Sequence, residues 1–404
     1  MTSTVAPTGV DHGRGEPAGG PPLAAAQQRS PAIAARASEI ERARTLPPDL
    51  VTDLNQAGLF RIALPSGLGG PGAAPTELVE TIAEISRADA ATGWCVLIAN
   101  IGAAFLAWLP RDAAAELLAG QPDLLIAGGQ APLGQAEEVA DGFRLTGRWA
   151  FASGCLHANL LMGGFMVMEG GRPKTNQWGV PEMRIGHFPA DQARVEDTWD
   201  VAGLAGTGSH DIVVEQALVP ARYTSVPYFA PADQHPDPLF RLTGYNLLLT
   251  LMSGFPLGVA RRALDEVYGQ LEQRGRPGHE EGWLADPAVQ VTLLRQETAL
   301  RSARRHVLDT LAELLDELGR GPVAVAERAH LAAAVINAYD VGREVVQDCF
   351  RLAGAAALFD DNPLQRCLRD LVAGAQHVAF SVDSRKRVAN ALLGRQQHPV
   401  FFGV

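Results

Sequence analysis

The sequence predicts an α+β chain, because three textures follow one another without alternating: helical spacing, then short β-prone runs, then long Ala/Leu/Arg-rich stretches. The first texture begins at Pro31. There Ile33, Ala34, Ile40 and Ala43 recur near helix spacing, and Leu46-Pro47-Pro48-Asp49 breaks one helix and starts the next. Turn-formers crowd residues 63–72, after which 74–101 and 105–118 return to apolar helical spacing. Near Gln121-Pro122 the pattern changes. Residues 124–127, 143–145, 149–152, 160–167, 183–187 and 211–214 are short, β-prone and bounded by Gly, Pro or Asp, which predicts a compact β-domain. Beyond the Pro-rich connection 227–238, the stretches 239–269, 286–318, 323–352 and 363–393 predict a helical bundle. The expected division is a disordered Gly/Pro-rich tail over 1–30, a helical domain over 31–120, a β-domain over 121–225 and a bundle over 235–404.

Composition narrows the chemistry. A chain of 404 residues has room for two or three domains and a buried cofactor pocket. Its formal charge of −11, with no basic run, argues against nucleic acid as a partner. Lysine occurs only at Lys174 and Lys386, which disfavours a Schiff base with a pyridoxal cofactor. Cys95, Cys155, Cys349 and Cys367 are scattered, so they read as reduced thiols; neither a disulfide framework nor a metal site is expected. Residues 1–30 lack a basic start followed by an apolar core, and no stretch reads as apolar for long enough to span a bilayer, so a cytoplasmic protein without a membrane partner is expected. No Gly-x-Gly-x-x-Gly opens a helix after a strand, so a nicotinamide site is not indicated.

Four segments carry more specific information. The first is Leu46-Pro-Pro-Asp-Leu, followed by Ala57-Gly-Leu-Phe-Arg and Gly69-Gly70. The second is Gly147-Arg-Trp-Ala-Phe-Ala-Ser-Gly154, and the third is Asp197-Thr-Trp-Asp-Val-Ala-Gly-Leu-Ala-Gly-Thr-Gly-Ser209. The fourth joins Phe350-Arg-Leu-Ala-Gly354 to Pro363-Leu-Gln-Arg-Cys-Leu-Arg-Asp370 and then to His377 on the same helical stretch. Taken alone, Trp149 and Phe151 alternating on a strand read as core residues, Ser153-Gly154 as a turn, and Gly206-Thr-Gly-Ser209 as a loop. Together and in this order, from about residue 31 to the C-terminus, the segments resemble the acyl-CoA dehydrogenase superfamily, and within it the branch of two-component, reduced-flavin-dependent (group D) monooxygenases.

The resemblance implies an N-terminal helical domain, a central β-domain and a C-terminal four-helix bundle. It implies reduced FMN or FAD, delivered by a separate flavin reductase, and O2 adding at the flavin C4a carbon as a hydroperoxide that hydroxylates or N-oxygenates a small organic substrate. It places Ser153 at flavin N5, where a small hydroxyl can serve both redox states. Trp149, Phe151 and Trp199 would wall the ring, Thr207, Ser209 and Arg276 would touch its polar edge or phosphate, and Gln130 would also bind the cofactor. His377 would face the oxygen-reactive edge, and a homotetramer is expected. Fatty-acyl dehydrogenases carry a carboxylate base near that position, whereas this chain reads Ala375-Gln376-His377-Val378. Abstracting an α-proton needs that carboxylate, while histidine suits the handling of a peroxide proton. An FAD-dependent acyl-CoA dehydrogenase or oxidase, and an inactive homologue serving as a binding partner, are the alternatives. One departure stands out: where related aromatic hydroxylases tend to place a second histidine, the chain has Gly102, with Asn100 nearby as a hydrogen-bonding substitute. His157 and His398 read as structural.

Overall fold

A computed structural model describes residues 21–121, 123–176, 179–228, 230–273, 275 and 282–395. The N-terminal helices are α1 (Pro22–Ala35), α2 (Ala37–Ala43), α3 (Pro48–Gln56), α4 (Pro75–Ala88), α5 (Ala90–Phe105) and α6 (Arg111–Gly120). Helix α1 starts inside the stretch expected to be a disordered tail, because its small residues Ala25 and Ala26 and its Ile33 are buried. The apolar run 74–101 is two helices rather than one. Asp89 is extended between them, and its carboxylate caps α5 by accepting the Thr92 N–H at 2.8 Å.

The strands are β1 (Ile126–Val139), β2 (Gly142–Trp149), β3 (Leu160–Glu169), β4 (Arg172–Pro173), β5 (Met183–Pro189), β6 (Arg194–Glu196), β7 (Asp211–Pro220) and β8 (Thr224–Ser225). They form one sheet in the order β6-β7-β2-β1-β3-β5-β8, with β4 paired to β3. Only the β1–β3 pair is parallel. Strand β1 runs on to Val139, well past the expected 124–127. The run 149–152 is not a strand, since Phe151 adopts a φ of 63° and turns the chain out of the sheet after Trp149.

The C-terminal helices are α7 (Gly244–Gln273), α8 (Pro287–Arg320), α9 (Val325–Ala353), α10 (Pro363–Gly374) and α11 (Val382–Leu392). Asp286 and Asn362 cap α8 and α10, each with proline at the first turn. The expected helix over 363–393 is interrupted between α10 and α11, and His377 lies in the interruption.

Two segments correct the reading that nothing is apolar enough to cross a bilayer. Ala90–Trp108 and Gly244–Gln273 reach that length and hydropathy, but their most apolar windows are 94% and 89% buried inside the protein. A helix apolar all round is one surrounded by protein as readily as by lipid, and here α4, α5, α7 and α9 pack on one another.

Trp149 is fully buried in the sheet's own core with Leu145, Phe165, Phe188 and Val214. Its indole N–H donates to Gly164 O at 2.9 Å and lies 3.2 Å from Ala131 O. Gly129, Gly134, Gly147 and Gly163 form its slot, where an added Cβ would stand 2.7, 2.6, 2.5 and 2.7 Å from the ring or its Cβ. The bland reading of this tryptophan therefore holds, and it has no surface to offer a cofactor. Trp149→Ala is expected to lower unfolding free energy by about 3–5 kcal/mol in urea titrations, since it leaves a large cavity.

Candidate active site

The site is built where two loops meet. The first is the turn after β2, whose Ala152 N–H donates to His210 O at 3.1 Å and whose Gly154 N–H donates to Thr207 O at 2.9 Å. The second is the loop 197–209. Arg44 donates from Nε to Trp199 O at 2.8 Å and pairs with Asp197 at 2.6 Å. His210 Nδ1 accepts the N–H groups of Thr198 and Trp199 at 3.2 and 3.3 Å. From the other side, Arg369 of α10 donates to Ala202 O, and Asp370 accepts the Leu204 N–H at 2.6 Å. Residues from both helical domains thus hold one loop of the β-domain.

Within this frame, four side chains form a continuous line. Trp94 of α5 donates from Nε1 to Ser153 Oγ at 3.1 Å. Ser153 Oγ lies 2.7 Å from Ser209 Oγ, which lies 2.6 Å from Thr207 Oγ1. Thr207 donates to Leu204 O at 2.7 Å, and Trp199 Nε1 donates to the same carbonyl at 3.0 Å. Leu204 itself has a φ of 56°, a conformation costly for a branched residue and held here from both its N–H and its C=O.

His377 reaches this line through Trp94, whose ring centroid is 6.3 Å from the imidazole. Trp94 also meets Phe255 edge-on at 4.9 Å, and Tyr339 and Phe380 extend the aromatic cluster. The approach of Trp94 and Phe255 to α10 requires glycine at position 374, where a Cβ would stand 2.5 Å from the Phe255 ring and 3.2 Å from that of Trp94. His377 is not helical. Its φ of −56° and ψ of 140° let Nδ1 accept the Ala379 N–H at 3.2 Å, which puts the ring proton on Nε2. Burial pushes its pKa down to about 4, so the imidazole is neutral at physiological pH.

The structure brings together Ser153, Thr207, Ser209, Trp199 and His377. Phe151 stands beside them, 72% exposed, with its ring edge-on to Trp199 at 6.0 Å. Gln130 accepts from the Tyr228 hydroxyl at 2.7 Å. Arg276 and His398 lie outside the described residues. His157 is half-buried beside Phe60, and desolvation pushes its pKa down to about 4. Asn100 is not a hydrogen-bonding substitute in the site: its amide donates to Leu59 O and Val96 O at 2.7 and 2.8 Å, and its oxygen accepts the Ala63 N–H at 3.0 Å. Its polar groups tie the loop after α3 to α5. Gly102 packs against Ile126, whose Cγ2 would lie 2.5 Å from an added Cβ, so a larger residue has no room there. Sequence reasoning missed Trp94, Leu204 and Asp370. A lone tryptophan on the apolar α5, with an N–H that needs a partner, was the available signal.

Comparison with known proteins decides the family. The chain is 34% identical over 374 residues to indole-3-acetate monooxygenase of Pseudomonas putida, covering 90% of this chain and 92% of that protein. The chain belongs to the acyl-CoA dehydrogenase superfamily. Residues 26–114 match the acyl-CoA dehydrogenase N-terminal domain and 250–382 its C-terminal domain. The FADH(2)-dependent resorcinol hydroxylase oxygenase component of a Rhizobium species is 30% identical over 366 residues, covering 86% of this chain and 88% of that one. Among solved structures, 3-HSA hydroxylase from Rhodococcus superposes with a TM-score of 0.85 at 25% identity, covering 94% of this chain and 98% of that one. This member of the superfamily is a flavin-dependent monooxygenase, the oxygenase component of a two-component system.

Two outcomes follow from the site's electrostatics. Burial raises the Asp370 pKa to about 7 from an ordinary 3.8, so its contribution to stability is fully present below pH 4 and is lost as pH rises through 7. Asp370→Asn, which keeps an acceptor for Leu204, should flatten melting temperature against pH across that window. Asp370→Ala strands the Leu204 N–H and should cost about 1–3 kcal/mol even at pH 5. For His377 the sign is opposite, because its folded pKa is depressed: stability is lost as pH falls from 6.5 through about 4. In NMR of histidine-labelled protein, the His377 C2 proton should not titrate between pH 6 and 9.

Proposed function

We propose that this oxygenase transfers one atom of O2 to an electron-rich aromatic ring, with reduced FAD or FMN seated against Ser153 and the substrate on the His377 side. The observation that carries the reading is the convergence of Ser153 and His377 on one side chain, Trp94. When bound, the reduced flavin supplies two electrons and activates oxygen at its C4a carbon; one oxygen atom enters the substrate and the other leaves as water. The residues present fit such a ring. Ser153 has a hydroxyl held at a fixed place by Trp94 and Ser209. Phe151 is exposed in a strained conformation next to Trp199, an arrangement that supports a stacking edge. Thr207 and Ser209 are buried behind Ser153 and act on the cofactor through it rather than by touching it.

His377, neutral and carrying its proton on Nε2, would donate a hydrogen bond to the oxygen that is transferred and exclude bulk water together with Phe255, Tyr339 and Phe380. It would not act as an imidazolium. The neighbouring carboxylates are committed elsewhere: Asp89 caps α5 and Asp370 holds Leu204, which disfavours an acyl-CoA dehydrogenase acting through either. Arg276 as a phosphate contact and a homotetramer belong to the same proposal. Exposed Leu358, Phe359, Val378 and Val382 on the C-terminal elements support an apolar contact between copies.

The substrate class follows from position 102. A phenol gains reactivity when a base takes its proton, and the position where related hydroxylases carry a histidine is closed here by Ile126. An indole ring is electron-rich without deprotonation, and the relative at 34% identity is named for indole-3-acetate. Incubation with a flavin reductase, NADH, FAD or FMN and either indole-3-acetate, indole or resorcinol should give products one oxygen heavier from the indoles and little from resorcinol. Stoichiometric H2O2 with no oxygenated ring from any of them would overturn the reading. Gly102→His should fail to confer phenol activity and should lower stability by about 1–3 kcal/mol through overpacking against Ile126.

A further inference from the structure

The line of hydroxyls behind Ser153 has a direction, and the direction is fixed at its ends. An indole N–H only donates, so Ser153 accepts from Trp94. A peptide carbonyl only accepts, so the single hydroxyl hydrogen of Thr207 goes to Leu204 O. Thr207 must therefore accept at its 2.6 Å contact with Ser209, which spends the Ser209 hydrogen. Ser209 in turn accepts at its 2.7 Å contact with Ser153, which spends the Ser153 hydrogen. What Ser153 has left is one lone pair.

We propose that the relay Trp94–Ser153–Ser209–Thr207–Leu204 makes Ser153 an acceptor towards flavin N5, so that this chain favours reduced over oxidised flavin by hydrogen-bond polarity. The proposal rests on the reading above that Ser153 faces N5, and it makes Ser209 and Thr207 positioning residues. Reduced flavin carries hydrogen on N5 and donates; oxidised flavin has a bare N5 and only accepts. The expectation that a serine serves both states equally does not hold for a serine whose hydrogen is already committed. Turning the Ser153 hydrogen towards oxidised N5 requires Ser209 and Thr207 to rotate with it. Trp199 keeps the Leu204 carbonyl satisfied after such a rotation, so the loss is the one bond from Thr207. A single buried hydrogen bond corresponds to about tenfold in affinity ratio.

The test measures dissociation constants of both redox forms of FAD, and of FMN in parallel, by anaerobic fluorescence titration of the full chain, together with the midpoint potential of the bound flavin. Thr207→Val removes the donor to Leu204, and Ser209→Ala cuts the line at its centre; both free the Ser153 hydrogen. Each should reduce the preference for reduced flavin about tenfold, which lowers the two-electron potential by about 30 mV. Thr207→Ser keeps a hydroxyl and should restore both values. Melting curves identify any variant that fails to fold, and the two lesions are independent, so one suffices. If Ser153→Ala alters binding while both Thr207→Val and Ser209→Ala leave the ratio unchanged, the relay proposal is overturned. If Ser153→Ala changes neither affinity, the placement of Ser153 at N5 fails first.

Discussion

Leu204 is the fixed point of this molecule. Its left-handed backbone is unfavourable on its own and persists because each polar end is claimed: the N–H by the buried carboxyl of Asp370, the C=O by Thr207 and Trp199. The hydrogen-bonded part of the candidate site refers to that residue. The hydroxyl line ends on its carbonyl, the loop 197–209 folds around it, and α10 approaches the β-domain through it. The arrangement costs the protein a carboxyl group taken out of water, which is why Asp370 has a raised pKa.

Trp94 ties this fixed point to the helical side. One face of its environment is polar, through the N–H to Ser153, and the rest is aromatic, with Phe255 and His377 around it. A tryptophan is suited to such a boundary because its single donor leaves a large apolar ring free to pack. The consequence is that the hydroxyl of the β-domain and the imidazole beyond α10, distant in sequence, share one neighbour.

The three-part architecture was legible in the sequence because the period of hydrophobicity changes from helical to strand-like and back to helical, and period survives ignorance of tertiary contacts. Breaks were less legible. The capped junction at Asp89 and the turn at His377 each interrupt an apolar run without a proline or glycine sequence dense enough to announce it. In the site, Ser153, Thr207, Ser209 and His377 could be named from motif order, yet their hydrogen-bond order could not, since it depends on Trp94 and Leu204 arriving from elsewhere. Trp149 shows the opposite failure: the motif offered it as a wall for the ring, but four glycines from three strands make room for it in the sheet's core.

The loop 197–209 is anchored by Arg44 from one helical domain and by Arg369 and Asp370 from the other. Exchange of the β-domain alone between homologues would therefore carry the loop away from its moorings. A chimaera that keeps its geometry has to bring the junction after α2 and the middle of α10 along with the sheet, so the modular unit of inheritance here is wider than any single domain.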